Sequence, residues 1–518
     1  MRKSILFLFG SLATLGAWSQ VPEDALRMSW STPSGTARNQ AIGGVMTSLG
    51  GDITANFINP AGIALYKTSE IVFSPGYNFF NNKSTYRGSA ETNAKSSSFI
   101  LGTSGLVFGI SDRYKPNKSS AFSIAVNRSA DFNNKIAYSG TNNFSSFSEA
   151  YAAEVAGSGL SIDDALNSSS ISFPSRMALY TYLVDTLTTE GFGTEVVGTP
   201  MRYALQHDTA FLLNQSNTIE TSGGITEVAI SFAGNSNDKF YFGGSLGVPI
   251  LNYERNSVYT ETDATNQSNN YFNSATLRER YTSKGVGVNL KLGAIFKPVN
   301  FIRVGAAIHT PTLYGLKDSY DATMETDLDN YNEPTSVTIR ELNDGYTPEY
   351  KYDLTSPWRF LVGGSYVFHG VEDIKQQRGF ISADLEYVTY SSNRFKNGEE
   401  NTIDNQEYYD AVNSVIKQIY KGALNAKIGG ELKFNTIMAR AGFAYYGNPY
   451  EDKDLDGKRM YISGGVGYRD KGFFIDLAYV HRLTDDVNFP YRLPDKANTY
   501  AETKGSGGNV IVTAGIKF

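Results

Sequence analysis

The 518-residue chain has no cysteine. That excludes a disulfide scaffold, a thiolate metal site, a cysteine nucleophile and a lipid anchor on an N-terminal Cys. Histidine is scarce, with only four residues (207, 309, 369 and 481) scattered along the chain, and no pair has helix-type zinc spacing. There is no excess of basic charge: 46 Lys and Arg face 52 Asp and Glu, and the pI near 5.5 argues against a nucleic-acid binder. After the N-terminal segment no apolar run approaches the 18 residues that a membrane helix needs. Mean hydropathy is −0.30. Yet the chain holds 50 Gly, 34 Tyr and 31 Phe. Abundant aromatics and glycine without apolar runs suit a transmembrane β-barrel, in which apolar and polar residues alternate and never accumulate.

The first 19 residues read as a secretory signal peptide. Arg2 and Lys3 form the positive start, residues 5–15 the apolar stretch, and Ala17-Trp18-Ser19 the small-residue cleavage site. Cleavage after Ser19 removes two basic residues and no acid, which takes the formal net charge from −6 to −8. The exported chain is then either soluble or spans a membrane with strands.

Beyond residue 68 the period is two. Val510, Val512, Ala514, Ile516 and Phe518 share one face of the last strand. Leu424, Ala426, Ile428, Gly430, Leu432 and Phe434 alternate with Asn425, Lys427, Gly429, Glu431 and Lys433. Ile302, Val304, Ala306 and Ile308, and again Phe473, Ile475, Leu477 and Tyr479, repeat the pattern. One apolar face and one charged, glycine-rich face describe a strand between lipid and a polar lumen. A soluble sandwich shares the period. It would bury Lys427, Glu431, Arg440, Asp384, Glu386 and Asp476, which a dry interior disfavours. Short links (Lys115–Lys118, 235–239, 298–300, 435–436 and 470–472) alternate with long ones (141–220, 261–280, 318–353, 397–421 and 482–508), as periplasmic turns and outer loops do. About fourteen strands are expected. They begin near Glu70, Lys95, Ser119, Gly224, Lys239, Tyr281, Phe301, Pro357, Gly379, Gly422, Ile437, Lys458, Gly472 and Asn509. Helices are expected near Ser148–Ala156, Pro174–Thr186 and Tyr408–Tyr420, the last with its apolar positions at Val412, Val415, Ile416 and Ile419. Tyr445, Tyr446, Tyr461, Tyr468, Phe473 and Tyr479 suit interfacial aromatic girdles.

Residues 20–68 do not alternate. They contain Ala41-Ile-Gly-Gly-Val-Met, Ser48-Leu-Gly-Gly-Asp52 and then Asn59-Pro60-Ala61-Gly62. This Gly-rich segment with its Asn-Pro-Ala element, just before the first strand, resembles the FadL/TodX family of outer-membrane hydrophobic-compound transporters. The resemblance implies an all-β transmembrane antiparallel barrel over 69–518, with residues 20–68 folded inside it as a hatch. It implies a monomer in the bacterial outer membrane, in contact with lipid and lipopolysaccharide. Its ligand would be a hydrophobic small molecule, a long-chain fatty acid or an aromatic hydrocarbon. Passage would be passive, from the outer loops to a pocket near the hatch and out sideways through a gap at an inward kink of the third strand. The link at 141–220 is longer than the family pattern leads one to expect.

In this sequence the apolar alternation of the third strand holds at Phe122, Ile124 and Val126 and fails at Asn127-Arg128-Ser129-Ala130-Asp131. Polar residues at lipid depth are costly unless the backbone turns inward. The kink is therefore placed there; the competing reading is that the strand leaves the bilayer at that point. A fatty-acid carboxylate needs a cation, and lumen-side candidates by parity are Arg303, Arg359, Lys427 and Arg440. Alternatively these brace the barrel against Glu431, Asp384, Glu386 or Asp476.

No enzyme is expected. Gly243-Gly-Ser245-Leu-Gly247 matches the hydrolase elbow pattern, but it lies within a strand rather than before a helix. No cofactor is expected either. Asp452, Asp454 and Asp456 with Gly457 have the spacing of a calcium loop, but its twelfth position is Ser463 instead of an acid, so a solvated acidic turn competes. Two other functional classes remain open. One is a non-transporting barrel scaffold for secretion or surface attachment. The other is a hemin receptor, for or against which four dispersed His make no case. An apolar lumen path favours transport, and a lumen packed shut favours a scaffold.

Overall fold

The computed structural model describes residues 22–30, 32–111, 117–189, 193–265, 267–368, 378–398, 403–452, 455 and 457–518. The expected signal peptide, His369, Asp454 and Asp456 lie outside the described residues, as do Lys115 and Pro116 of the first short link. Fourteen antiparallel strands close into a barrel. They are β1 (Glu70–Phe73 and Pro75–Tyr86), β2 (Thr92–Leu101 and Ser104–Ser111), β3 (Ser119–Asp131 and Asn134–Asn142), β4 (Leu213–Ser236), β5 (Phe240–Asp263), β6 (Ser274–Val299) and β7 (Ile302–His309 and Leu313–Asp327). The round continues with β8 (Glu349–Thr355 and Arg359–Phe368), β9 (Gly379–Thr389 and Arg394–Asn397), β10 (Gly422–Phe434), β11 (Ile437–Tyr446), β12 (Arg459–Asp470), β13 (Phe473–Asn488) and β14 (Ala501–Lys517). Each pairs with its neighbour in sequence, and β14 closes on β1 through Glu70↔Lys517 and Tyr77↔Val510.

The faces follow the period of two. Leu424, Ile428 and Leu432 are about half exposed (53, 47 and 51%), while Asn425 between them is 1% exposed. The exposed set forms the apolar outer band, and the buried set faces a filled lumen. Tyr468, Phe473 and Tyr479 sit on the outer face, as a girdle requires. Tyr446 and Tyr461 do not: both turn inward, 4% exposed, and pack against Ala444 and Val480. Two-residue turns join β10 to β11 (Phe434↔Ile437) and β12 to β13 (Asp470↔Phe473). In the second turn both Lys471 (φ 45°) and Gly472 (φ 86°) are left-handed, which matches the twist of the flanking strands.

Several strands run further toward the long-loop end than their apolar alternation. β4 starts at Leu213, β6 at Ser274, β8 at Glu349 and β14 at Ala501, seven to eleven residues before the sequence-based starts. Above the apolar band both faces of a strand meet water or loops, so the alternation that reveals it disappears. On β5 the outward residues run Phe240, Phe242, Leu246, Val248 and Ile250, then turn polar at Asn252 and Glu254.

The N-terminal segment fills the lumen. It holds α1 (Pro22–Ser29), α2 (Ala37–Ala41), α3 (Ala55–Ile58) and a 3-10 turn (Pro60–Leu65). Ile42, Val45, Met46, Leu49 and Ile53 are all at most 3% exposed and pack on Tyr241, Ile295, Val367, Phe380 and Phe474 of the wall. Each such side chain contributes roughly 1.5–3 kcal/mol by burial. Close approach needs bare backbone on the wall. A Cβ at Gly429 of β10 would collide with the Ile42 carbonyl, and one at Gly442 of β11 with Gly43 N.

The long link after β3 folds as a cap: α4 (Ser148–Ser158), α5 (Ile162–Asn167), α6 (Phe173–Tyr180), a hairpin (Val184–Thr189 with Gly193–Gly198) and α7 (Thr199–His207). The helix expected over 174–186 ends at Tyr180, after which the chain enters the hairpin. α8 (Ile403–Ile419) lies over the mouth with Val412, Val415 and Ile416 buried, and touches α1.

Candidate functional site

Among the described residues, β2 and β3 part from each other along their length. From Ser119 to Val126, β3 pairs with β2, ending at Ser104↔Val126. Beyond that point β3 pairs only with β4, and β2 from Thr92 to Leu101 pairs only with β1. The register on β4 shifts between Arg128 and Ala130. The bulged Ser129 carbonyl accepts from both the amide and the hydroxyl of Thr32 in the hatch (3.3 Å each). Opposite the bulge, β4 carries Gly223 (φ 94°) and Gly224; a Cβ on Gly224 would overlap the Ala130 carbonyl. The upper half of β3 runs behind the β1–β2 hairpin, where Gly140 meets the Tyr86 carbonyl.

Side chains, not backbone, bridge the two edges. Asn78 Nδ2 and Ser98 Oγ donate to Asp131 Oδ2 (2.7 and 3.2 Å), and Asn82 Nδ2 donates to Asn134 Oδ1 (2.7 Å). Arg128 holds Asp131 at 3.5 Å and donates to the Gly223 carbonyl. Asn127 joins wall to hatch, accepting from Thr103 Oγ1 and donating to Ser34 Oγ (3.0 Å each).

Behind the opening lies a cavity of about 50 Å³, lined by Thr32, Ser34, Phe80, Ile100, Arg128, Asp131, Tyr461, Val480, Arg482 and Asn509 among others. Arg482 lies over the Phe80 ring, 3.7 Å from its centre. Sequence reading passed over Arg482, because the apolar alternation of β13 fades before residue 482. It also passed over the Gly223-Gly224 pair, the local signal that a strand bends.

The four lumen cations chosen by parity all face inward, but not into this cavity. Arg359 pairs with Glu386 (3.2 Å) and donates to the Ser29 carbonyl of α1 (2.5 Å). Lys427 pairs with the other oxygen of Glu386 (3.3 Å). Arg440 reaches both Glu431 and Asp476 (2.6 Å each). Arg303 donates to the Leu49 carbonyl (3.0 Å). Asp384 accepts from Met46 N, Thr47 N and Thr47 Oγ1 (2.8–2.9 Å), so it caps the hatch rather than pairing with a cation.

The hatch element has a defined job. Asn59 Oδ1 accepts from Ala61 N and caps the 3-10 turn through Pro60 and Gly62. Its Nδ2 points at the carbonyls of Thr47 (2.6 Å), Ala294 (3.2 Å) and Ala306 (3.3 Å), tying the hatch to β6 and β7.

Ser245 lies mid-strand in β5, with no helix following. Among the described residues no three acids or histidines gather as metal ligands. Of the acidic-turn residues only Asp452 is described. Ser463 lies in β12 and donates to the Ala41 carbonyl inside the barrel (3.1 Å), remote from a loop role. His309 is bonded to the Ile58 carbonyl (2.8 Å), His207 stacks on Tyr203 in the cap helix α7 and His481 lies by Tyr479 on β13, so the three stand apart.

The cap has its own electrostatic centre. Glu261 is fully buried about 36 Å along the strand above Ile250, at ~3.3 Å per residue, well outside the apolar band. It accepts from Ser146 Oγ (2.5 Å), Phe147 N (2.9 Å), Tyr259 OH (2.9 Å) and Gln215 Nε2 (2.8 Å). Burial pushes its carboxyl up to about 7, against the pull of these donors. Nearby, Glu149 meets Lys496 (2.8 Å); burial raises its carboxyl too.

No family model and no curated protein matches the sequence. Solved structures do. A FadL homologue of Pseudomonas aeruginosa is 13% identical, covers 95% of this chain and 100% of its own, and superposes with a TM-score of 0.52. The toluene transporter TodX of P. putida is 14% identical, with 94% and 99% coverage and a TM-score of 0.52. The resemblance carried by Asn59-Pro60-Ala61-Gly62 therefore holds over nearly the whole chain as a shared architecture, and the protein has the FadL/TodX fold: a fourteen-stranded barrel with its N-terminal segment inside.

Proposed function

We propose that the protein is a passive outer-membrane channel for hydrophobic compounds, long-chain acids or aromatic hydrocarbons, which leave the lumen sideways between β2 and β3. The short turns then face the periplasm and the cap faces outward. The observation that carries this reading is the pair of strand edges, 92–101 of β2 and the part of β3 beyond Val126, that lack each other as partners. An unpaired edge at membrane depth costs several kcal/mol per unsatisfied group. A barrel that only had to stand would gain nothing from one. A route for apolar ligands gains much, because each CH₂ kept out of water is worth about 0.8 kcal/mol. The similar structures, a FadL homologue and a toluene transporter, support the same reading.

The scaffold alternative draws on the packed hatch and its ion pairs, and one experiment separates the two. The chain has no cysteine of its own, so Ser98→Cys with Asp131→Cys places a lone thiol pair across the opening. Vesicles holding the protein are loaded with labelled dodecanoate or toluene, before and after closing the pair with a short bifunctional thiol reagent. Uptake is expected to fall on closure and return on reduction where the linker is reducible. Uptake unchanged by closure removes the lateral exit. Uptake no better than empty vesicles before closure removes the transport reading.

A further inference from the structure

The cavity behind the opening holds more positive than negative charge. Its lining includes Arg128, Arg482 and Asp131. Asp131 is engaged by Arg128 at 3.5 Å and by donors from Asn78, Ser98 and Asn133. Among the described residues no carboxylate lies within salt-bridge distance of Arg482; it lies instead on the face of Phe80. Arg459 is in the same position one strand away. It lies 3.4 Å from the centre of the Trp30 ring, with Asp486 near it but no carboxylate within salt-bridge distance among the described residues. Tyr461↔Arg482 and Arg459↔Thr484 are paired positions on β12 and β13, so the two arginines are diagonal neighbours on the lumen face. Of the lumen cations chosen by parity, those at 359, 427 and 440 have acids, and Arg303 has the Leu49 carbonyl. Arg482 and Arg459 both lie on aromatic faces, and Arg482 also lines the cavity.

The placement is built across the wall. Phe80 of β1 pairs with Gly507 of β14, and Gly507 pairs with Arg482 of β13. A Cβ at Gly507 would overlap the Phe80 ring, so the glycine makes the space in which the guanidinium reaches it. Tyr461 lies against the guanidinium and takes part of its hydrogen bonding. Neither it nor the stacked ring neutralises the cation, and a guanidinium has five N–H donors, so others remain for an acceptor.

We propose that Arg482, with Arg459 beside it, selects ligands that carry a carboxylate on an apolar chain over neutral ones. The charged end would sit at Arg482 while the chain lies along Ile100, Val480 and Phe79 toward the gap. A cavity of about 50 Å³ holds a few water-sized groups. That suits a carboxylate better than the phosphodiester head of a membrane lipid. This proposal rests on the transport reading and narrows its ligand.

Purified protein in amphipol is titrated calorimetrically with dodecanoate, dodecanol and dodecyl phosphate at pH 8. Wild type is expected to bind dodecanoate at least ten-fold tighter than dodecanol. Arg482→Met is expected to bring the two within two-fold while dodecanol binding stays as it was, which also shows the variant is folded. Arg482→Lys should keep part of the preference. At pH 4, where the acid is largely neutral, wild type should lose most of it. A wild type that favours neither, an Arg482→Met variant that keeps the ten-fold preference, or tighter binding of dodecyl phosphate than of dodecanoate overturns the proposal. Vesicle uptake of dodecanol by wild type would leave the channel standing in each of those cases. If wild type takes up neither compound, the transport reading itself fails.

Discussion

The Arg482 guanidinium and the Phe80 ring meet at 3.7 Å across a strand that lies between their own, because that strand carries Gly507 where they cross. Gly507→Ala tests the relationship without touching either partner. The new methyl would overlap both the ring and the Phe79 carbonyl, and a shift of wall and ring costs on the order of 1–3 kcal/mol. Thermal unfolding should move down modestly, and preference for dodecanoate over dodecanol should weaken. Unchanged preference in the Gly507→Ala variant would mean the stack does not set the arginine's position.

Glu386 serves two cations at once, Arg359 at 3.2 Å and Lys427 at 3.3 Å, and also accepts from Asn425 (3.2 Å). All three charged side chains are less than one-fifth exposed. Glu386→Ala strands both cations, so destabilisation of about 3–5 kcal/mol is expected from equilibrium unfolding in urea. Adding Arg359→Met and Lys427→Met should return most of it. If the two cations bind ligand instead of bracing the wall, the triple variant loses carboxylate binding while stability recovers. Bracing predicts unchanged binding per folded molecule.

Parity was legible because it is local. Leu424 and Asn425 declare their faces from their own strand, and Val412, Val415 and Ile416 declare a helix from theirs. The polar break at Asn127–Asp131 marks a position on β3 where the register on β4 shifts. Which edge is left open depends on where β2 ends its pairing, and no local pattern carries that. The state of each lumen cation is likewise non-local. Arg440 meets acids on β10 and β13, while Arg482 meets a ring on β1 past a glycine on β14. Parity puts Arg440 inside, fades before Arg482, and says nothing of the partners of either. The upper strand ends were missed for a different reason. Above the apolar band no face needs to be apolar, as Asn252 and Glu254 on β5 illustrate.

Asn59 joins hatch and wall through a single side chain aimed at three carbonyls and one amide. Asn59→Ala leaves buried carbonyls of Thr47, Ala294 and Ala306 short of a donor, at roughly 1–3 kcal/mol. Its bonds to the wall reach β6 and β7, not β10 to β13. Hydrogen exchange should therefore quicken at amides within 47–62 and stay unchanged in β10 to β13. Equal quickening in both would show that hatch and wall unfold as one unit.

The cap should loosen as pH rises. Glu261 in the folded cap titrates near 7, pushed up by burial, while the unfolded chain offers an ordinary carboxyl near 4.5. Between those values the folded state binds more protons than the unfolded one, so stability falls with rising pH and levels off above about 7. The slope approaches 1.4 kcal/mol per pH unit at its steepest. Glu149 also has a raised carboxyl and adds to the same sign, with Lys496 opposing it. Glu261→Gln keeps a neutral acceptor for Phe147 N, Tyr259 and Gln215 and removes the proton, so most of the slope should vanish. Exchange of amides in 143–158, corrected for intrinsic rates at pH 5 and pH 8, reads the effect directly. Faster opening at pH 8 than at pH 5 in wild type, and little difference in the Gln variant, is the expected pair. Opening that is faster at pH 5 in wild type would mean the charged form is the one the cap is built to hold, and that the four donors around Glu261 outweigh its burial.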